Sequence, residues 1–221
     1  MTNTFISAAI SLQMVAGLCS NATVLLKKRT VVAAEIPATA ASCVGFPDTA
    51  AVMSSDLGFE VKYNRIPVEL DLGNELFVGQ LIGGRLPEGS TTLPEGFSFR
   101  YDKYLVAEAD GRSQLERGRI LLANAFSGQM ISGDADLLIE KVEPKKVPAT
   151  AESCIGHADT AAVAGSLLGR EVPFNRASIS LQPGDVLYVC QLGGGRLPEG
   201  STTLPEGFTL TFYKVSVLQP A

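Results

Sequence analysis

Histidine occurs once in this chain of 221 residues, at position 157, and tryptophan does not occur at all. Zinc sites are commonly built from several histidines or from clustered thiolates, and the four cysteines show no Cys-x-x-Cys spacing. The sequence also lacks a phosphate-binding P-loop, a dinucleotide glycine fingerprint, an HExxH motif and a nucleophile elbow. We therefore expect chemistry that needs no metal or cofactor, or binding alone.

Charge is also scarce, at 19% of residues, and the formal net charge is −5. This sign disfavours long nucleic acid, whose phosphates need a basic face, but it allows a small anionic ligand in a local arginine pocket. Hydrophobic residues make up 46% of the chain, which indicates a soluble globular protein rather than disorder or a membrane protein. No basic region precedes the apolar stretch 5–19, so we expect no targeting signal and a cytoplasmic location. Free thiols are expected at Cys19, Cys43, Cys154 and Cys190.

A stretch of fifteen residues occurs twice without change. Gly-Gly-Arg-Leu-Pro-Glu-Gly-Ser-Thr-Thr-Leu-Pro-Glu-Gly-Phe runs over 83–97 and again over 194–208, and about two-thirds of positions 36–97 are identical at the same offset. An unchanged loop between diverged flanks is more typical of binding or catalysis than of a recent duplication alone. We interpret the chain as a tandem of two units, 1–106 and 119–221, joined by a linker over 107–118.

Hydrophobic periodicity predicts an α+β fold for each unit, with a mixed sheet of about five strands and short helices. The clearest helix is predicted over 159–168, with Gly169 as its C-cap, and its counterpart over 48–57 ends at Gly58. Two near-copies in one chain are expected to pack about a pseudo-twofold axis, as an isologous dimer does. In the second unit the strands are predicted at 120–125, 134–143, 177–181, 186–192 and 208–217.

Several side chains are candidates for chemistry on a phosphodiester. His157 precedes the predicted helix, where it is either a proton donor to an oxygen leaving phosphorus or an ordinary capping residue. In the repeated loop, Arg85 and Arg196 fit a planar phosphate clamp, and Glu88 and Glu199 fit groups that orient or deprotonate a ribose hydroxyl. The alternative is a local Arg–Glu pair that braces the loop.

Two further pairs of residues recur in both units. Gln80 and Gln191 lie at predicted strand ends, where they either contact a base or sugar or satisfy backbone groups. The Asn-Arg pairs at 64–65 and 175–176 precede a predicted strand and favour a structural role over a catalytic one.

The second unit carries an ordered set of motifs: Leu-x-Asn-Ala-Phe-Ser at 122–127, Gly-His-x-x-Thr-Ala at 156–161, Asn-Arg at 175–176, Gly-Asp at 184–185, Gln191, and Arg-Leu-x-Glu-Gly at 196–200. In this order and over nearly all of 119–217, the unit resembles the small viral ring nucleases that act as type III anti-CRISPR proteins.

The resemblance implies a function and a site. In that family a dimer binds cyclic tetra-adenylate across its interface, and a ribose 2′-hydroxyl attacks its own phosphodiester without a metal. By resemblance, His157 is the general acid assisted by Glu199, and a tandem chain is a covalently linked dimer with one composite site, open to further oligomerisation. A viral source would place it in the host cytoplasm. The family's ligand-holding residues match Asn124, Ser127, Gln191 and Arg196.

The first unit departs from this pattern. It has Phe46 where the second has His157, and Ala8 where the second has Asn124, while Ser11, Gln80, Arg85 and Glu88 are kept. Phenylalanine transfers no proton but stacks on a base. We therefore expect binding in both units and chemistry in one at most. The leading hypothesis is a metal-independent ring nuclease, the alternative is a sponge that sequesters a signalling nucleotide, and the third is a structural tandem with no ligand.

Overall fold

The computed structural model describes residues 3–20, 22–109, 111 and 118–221. These residues form two compact units, one containing those up to residue 17 together with 26–108, and the other containing 18–25 together with those from 109 onward. Most of the linker predicted at 107–118 lies outside the described residues. At its start, the last strand of the first unit continues to Glu108.

The first half of the chain folds into five strands of one sheet and one long helix that packs against it. Strand β1 is parallel to both β3 and β4, and β4 is antiparallel to β5, in the order β3-β1-β4-β5-β2. Short 3-10 turns lie at Leu12–Val15 and Ala33–Glu35. The elements are β1 (Thr4–Ser7), α1 (Ala16–Cys19), β2 (Val24–Val31), β3 (Ala41–Ser42), α2 (Pro47–Leu57), β4 (Glu75–Ile82) and β5 (Ser98–Glu108).

The second unit repeats this arrangement in the order β8-β6-β9-β10-β7, again with parallel and antiparallel pairs. The prediction of two α+β units, each with a mixed five-stranded sheet, is therefore confirmed. Short 3-10 turns lie at Gly128–Met130 and Pro144–Lys146. The elements are β6 (Ile120–Ala123), β7 (Ala135–Val142), β8 (Glu152–Ser153), α3 (Ala158–Leu168), β9 (Val186–Gly193) and β10 (Thr209–Leu218).

The strand predicted at 177–181 is wrong. Only Leu181 pairs with a neighbouring segment, through an isolated bridge to Ile131 and a 2.6 Å hydrogen bond from its N–H to the Met130 carbonyl. The residues before it, 177–180, are exposed or half-buried and lack a ladder partner among the described residues. The fifth strand is instead the two-residue β8, which is parallel to β6.

Helix α3 covers one face of the second sheet. Its small residues Ala161 and Ala164 pack with Tyr188 and Cys190 of β9 in one buried cluster. The helix ends at Gly169, whose positive φ of 63° suits glycine. Because side chains alternate along a strand, Leu192 is on this same face of β9, and its neighbour Gln191 is on the opposite face.

The four cysteines are free and buried. Burial raises the pKa of the Cys19 thiol to about 11 and that of Cys190 to about 12. Because the thiolate is the reactive form, these residues are structural rather than nucleophilic.

Candidate functional site

The repeated loop has the same backbone structure in both units. In the second unit a turn at Pro198 is closed by the backbone N–H of Ser201, at 3.2 Å, and by its hydroxyl, at 2.7 Å, both donating to the Pro198 carbonyl. The loop closes at its base, where a Cβ added to Gly194 would lie 2.8 Å from the Gly207 carbonyl. Gly194 also has a φ of 98°, so this position requires glycine. The first-unit copy makes the matching bonds at Ser90.

One carboxylate fastens this loop to the helix. The Gly200 N–H donates to Asp159 Oδ1 at 3.2 Å, and Asp159 lies in the first turn of α3. In the first unit the Gly89 N–H donates to Asp48 Oδ2 at 3.1 Å, in the first turn of α2. Each loop is thereby held beside the N-terminus of a helix, where free backbone N–H groups and the helix dipole favour anions.

A cavity of about 280 Å³ lies at this junction in the second unit. His157 is the N-cap of α3 and makes no capping hydrogen bond through its side chain, so the imidazole remains exposed at the cavity. Asn124 accepts the Gly156 N–H at 3.1 Å through Oδ1, which leaves its Nδ2 donors for the cavity. The structure thus brings together three of the predicted residues, and the complete lining is Asn124, His157, Asp159, Thr160, Leu192, Arg196 and Leu197.

The arginines and glutamates of the repeated loop do not pair with each other. Among the ion pairs of the described residues, none joins Arg85 to Glu88 or Arg196 to Glu199. All four residues are exposed. A bracing Arg–Glu pair is therefore not the role of these charges. Arg196 reaches the second-unit cavity, whereas Glu199 is exposed on the loop directly before Gly200 and is not part of the lining.

The first unit has a larger cavity at the equivalent position, of about 700 Å³. Phe46 replaces the histidine as N-cap and is 67% exposed. Arg85 and Glu88, both predicted ligand or catalytic residues, are at this cavity. The complete lining is Phe46, Asp48, Thr49, Leu81, Arg85, Leu86 and Glu88.

The two glutamines are not in these cavities. Gln80 is only 3% exposed, and its Oε1 accepts a hydrogen bond from the Arg100 guanidinium across the strand pair β4–β5. Gln191 is half-buried and, like Gln80, lies on the sheet face opposite the helix, while Leu81 and Leu192 occupy the cavity side. The observed contact of Gln80 is structural.

Ser11 and Ser127 cap 3-10 turns. Their hydroxyls accept the backbone N–H of Gln13, at 3.2 Å, and of Gln129, at 3.3 Å. Ser127 also borders a second cavity of about 410 Å³, which shares Asn124 with the first. The described residues place Ser11 at neither of the cavities beside the helices.

The asparagines of the two Asn-Arg pairs are structural. Asn64 Nδ2 donates to the Ser42 carbonyl at 3.0 Å, and Asn175 Nδ2 donates to the Ser153 carbonyl at 2.9 Å. Each bond ties the segment after the helix to the short edge strand, β3 or β8.

Sequence reasoning missed the anchoring carboxylates Asp48 and Asp159, together with the leucines that form the apolar floor of each cavity. A signal for the carboxylates was present, because Asp-Thr-Ala-Ala-Val occurs in both units at 48–52 and 159–163. These two segments open the helices predicted at 48–57 and 159–168, and the first turn of a helix favours an acidic residue whether or not it anchors a loop.

Over residues 3–20, 22–109, 111 and 118–221, no three His, Cys, Asp or Glu side chains are grouped as metal ligands. Within the same ranges no helix has the length and apolar character to cross a bilayer.

Two repeated α+β units, each with a glycine-rich loop fastened to a helix N-terminus, define the class of this protein. The sequence model of the STIV B116-like family matches residues 5–98 and again 120–213. The chain therefore belongs to the STIV B116-like family, as a tandem of two family domains.

One solved structure similar to this chain is B116 of Sulfolobus turreted icosahedral virus (STIV). It is 24% identical in sequence, the match covers 45% of this chain and 99% of that one, and the TM-score is 0.37. No curated protein matches the chain.

Proposed function

We propose that this protein is a metal-independent phosphodiesterase of the ring nuclease type, which binds and opens a cyclic oligoadenylate such as cyclic tetra-adenylate. The observation that carries the proposal is the second-unit cavity, where His157, Asn124 and Arg196 meet at the start of α3. An imidazole, an amide and a guanidinium beside a helix N-terminus are groups suited to a phosphodiester.

In the proposed reaction, a ribose 2′-oxygen bonds to the adjacent phosphorus, and the bond from phosphorus to the 5′-oxygen breaks. His157 gives its proton to the departing 5′-oxygen, and Glu199 takes the proton of the attacking 2′-hydroxyl. Arg196 and the α3 N-terminus stabilise the charge that develops on the phosphoryl oxygens. The products are a 2′,3′-cyclic phosphate and a 5′-hydroxyl, and no other reactant is consumed.

The remaining predicted ligand contacts are assigned to binding. Asn124 and Ser127 border adjoining cavities that suit neighbouring parts of one oligonucleotide. Glu88 and Arg85 occupy the matching loop positions of the first unit, where we assign them to positioning. Gln80, Gln191 and Ser11 enter the proposal through the family resemblance alone, because their observed positions favour structural roles.

The test is incubation with cyclic tetra-adenylate in EDTA, with products resolved by chromatography. We expect linear products that end in 2′,3′-cyclic phosphate. A general acid contributes roughly 10²–10⁴-fold, so His157→Ala should slow cleavage by about that factor, whereas Phe46→Ala, the matched change in the first unit, should leave the bond-breaking rate of bound ligand within about twofold. Equal cleavage by His157→Ala and the unaltered chain would contradict the assignment of His157.

A sponge remains the second candidate, because the first unit has apolar residues at the two positions that matter most. Phe46 and Ala8 remove the proton donor and the amide while the arginine loop is kept. Such a unit binds without cutting. If the whole chain behaves this way, the ligand is recovered intact after the protein is denatured.

We further propose a viral origin, since the family takes its description from a virus protein. Removal of a cyclic oligoadenylate in the host cytoplasm would then counter antiviral signalling.

A further inference from the structure

The first-unit cavity has lost three groups that suit a phosphate. Ala8 replaces Asn124, so the backbone N–H of Gly45 has no counterpart of the Asn124 Oδ1 bond to Gly156. Pro47 opens α2 where Ala158 opens α3, and proline has no N–H to offer at the helix N-terminus. The imidazole is replaced as well. Each change removes a polar group, and together they leave fewer contacts for a phosphodiester than the second unit offers.

The first-unit cavity also differs in size and carries an exposed aromatic ring. The cavity measures about 700 Å³, against about 280 Å³ in the second unit. Phe46 is 67% exposed at its edge, although phenylalanine is usually buried. An exposed aromatic ring beside a cavity offers a flat face on which a nucleobase can stack, and stacking of this kind accepts any base.

Among the described residues that line this cavity, Arg85 is the one cation. Arg85 is exposed and has no ion-pair partner among the described residues, and the carboxylates Asp48 and Glu88 share the lining. Asp48 is engaged, because it accepts the Gly89 N–H at 3.1 Å. A single guanidinium supports one phosphate contact, which matches a stacked nucleotide better than a phosphodiester held from several sides.

We propose that the first-unit cavity is a non-catalytic purine nucleotide site, in which the base stacks on Phe46 and its phosphate contacts Arg85. This deepens the proposed function, since it rests on the chain being a nucleotide-binding protein, and it divides the work: the second unit cuts and the first holds a base. A purine is favoured over a pyrimidine because its larger ring covers more of the exposed phenyl face.

The test uses 2-aminopurine riboside 5′-monophosphate, a fluorescent nucleotide whose emission falls when the base stacks. The chain contains no tryptophan, so the emission is measured against a low protein background. We expect saturable quenching with the unaltered chain. Base–aromatic stacking lost on substitution by alanine corresponds to at least about fivefold in affinity, so Phe46→Ala should weaken binding by about fivefold or more, while Phe46→Tyr keeps it.

Matched variants locate the probe. Arg85→Ala should weaken binding of the monophosphate but not of the uncharged riboside, and Arg196→Ala and His157→Ala should leave the quenching unchanged. Circular dichroism is expected to be the same for all variants, because the substituted side chains are exposed. Quenching that survives Phe46→Ala, or that is lost in His157→Ala, would overturn the proposal, as would a complete absence of quenching.

Two further readouts distinguish the first-unit nucleotide site from the proposed ring nuclease activity and from self-association of the chain. If the protein cleaves cyclic tetra-adenylate but does not quench the probe, the first-unit site is overturned and the ring nuclease proposal stands. If the probe is quenched but the cyclic ligand is not cleaved, the first-unit site stands and the ring nuclease proposal is overturned. The alternative occupant of the cavity is a second copy of the chain, and light scattering tests this by measuring the oligomeric state. A dimer that Phe46→Ala converts to a monomer, with no quenching in either form, would assign the cavity to self-association and overturn the nucleotide site.

Discussion

Gly79 and Cys190 occupy equivalent positions in β4 and β9. The small Gly79 has a large neighbour, Met53, whereas the larger Cys190 has a small one, Ala164. A Cβ added to Gly79 would lie 2.7 Å from Met53 Cε and 2.9 Å from Tyr101 Cε1. In the second unit the residue equivalent to Met53 is Ala164, which leaves room for the Cys190 side chain in the same cluster. The two cores thus fill similar space with opposite choices of large and small residues.

Gly79→Cys should therefore overpack the first unit and lower the free energy of unfolding by about 1–3 kcal/mol. The double variant Met53→Ala/Gly79→Cys recreates the second-unit combination and should recover at least half of that loss. Denaturant unfolding followed by circular dichroism measures both. A Gly79→Cys variant as stable as the unaltered chain would show that the core relaxes around the new side chain.

Asp185 and Arg119 form an ion pair that the first unit replaces with two asparagines, Asn74 and Asn3. Burial works to raise the pKa of the Asp185 carboxyl, but hydrogen bonds from the Arg119 guanidinium, at 2.8 Å, and from the backbone N–H groups of Gln182 and Arg119 outweigh it and hold the pKa below its usual range. A lowered folded-state pKa adds stability above the unfolded-state value, and this is lost as the pH falls through the folded-state value.

The unaltered chain should lose stability as the pH falls from about 7 to about 3, and this loss should be smaller in Asp185→Asn. Arg119 is 54% exposed, so solvent screening limits the pair itself to roughly 1 kcal/mol at most. The matched variant Arg119→Asn/Asp185→Asn reproduces the pair of the first unit and should show the same reduced acid dependence. Thermal unfolding across this pH range is the measurement, and an unchanged acid dependence in both variants would refute the argument.

At the scale of elements, Asp159 fixes the position of the repeated loop relative to helix α3, because it accepts the Gly200 N–H from the first turn of that helix. Asp159→Ala removes the acceptor of the Gly200 N–H and frees the segment that carries Arg196 and Glu199. We expect cleavage to slow by about tenfold or more, since positioning contributes strongly to catalysis. Asp159→Asn retains an oxygen acceptor and should restore most of the rate.

The control for this prediction is Asp48→Ala, which frees the first-unit loop in the same way. It should leave the rate of bond cleavage in bound ligand within about twofold, since the proposed acid lies in the other unit. An Asp48→Ala variant as slow as Asp159→Ala would mean that both loops act in the chemical step.

The sequence was sufficient to predict the long elements and the helix start. Helix α3 was predicted at 159–168 and observed at Ala158–Leu168, because small apolar residues at helical spacing and a terminal glycine determine it locally. The edge strand β8 could not be predicted, since two residues have no periodicity and pair only because β6 is alongside. The prediction of a strand at 177–181 was wrong because an extended segment becomes a strand only beside a partner, and of these residues only Leu181 has one.

The placement of the candidate site residues was predicted in part. His157 and Arg196 are 39 positions apart in the sequence, and their meeting at one cavity was expected from the resemblance and is observed in the structure. The glutamines were assigned to the ligand although Gln191 follows Cys190, whose side chain packs under the helix. Which face of a strand a residue occupies depends on how the helix packs against the sheet, and that packing is tertiary information.

At the scale of the whole molecule, duplication has let two copies of one domain diverge around an unchanged loop. Fusion in one chain allows one unit to carry Phe46 while the other keeps the histidine at the equivalent position, His157. The packing of the two units about a pseudo-twofold axis stays a prediction. If one unit alone supplies the acid, a fourfold-symmetric ligand is treated unequally by the two units.

The most direct test of the account is the number of ligand molecules processed per protein chain. Purified protein is mixed with a large molar excess of cyclic tetra-adenylate in EDTA, and linear product is counted over time. We predict many product molecules per chain, with turnover abolished or slowed by about 10²–10⁴-fold in His157→Ala. Intact ligand recovered in a one-to-one ratio with protein, and no linear product, would contradict the account and establish a sponge.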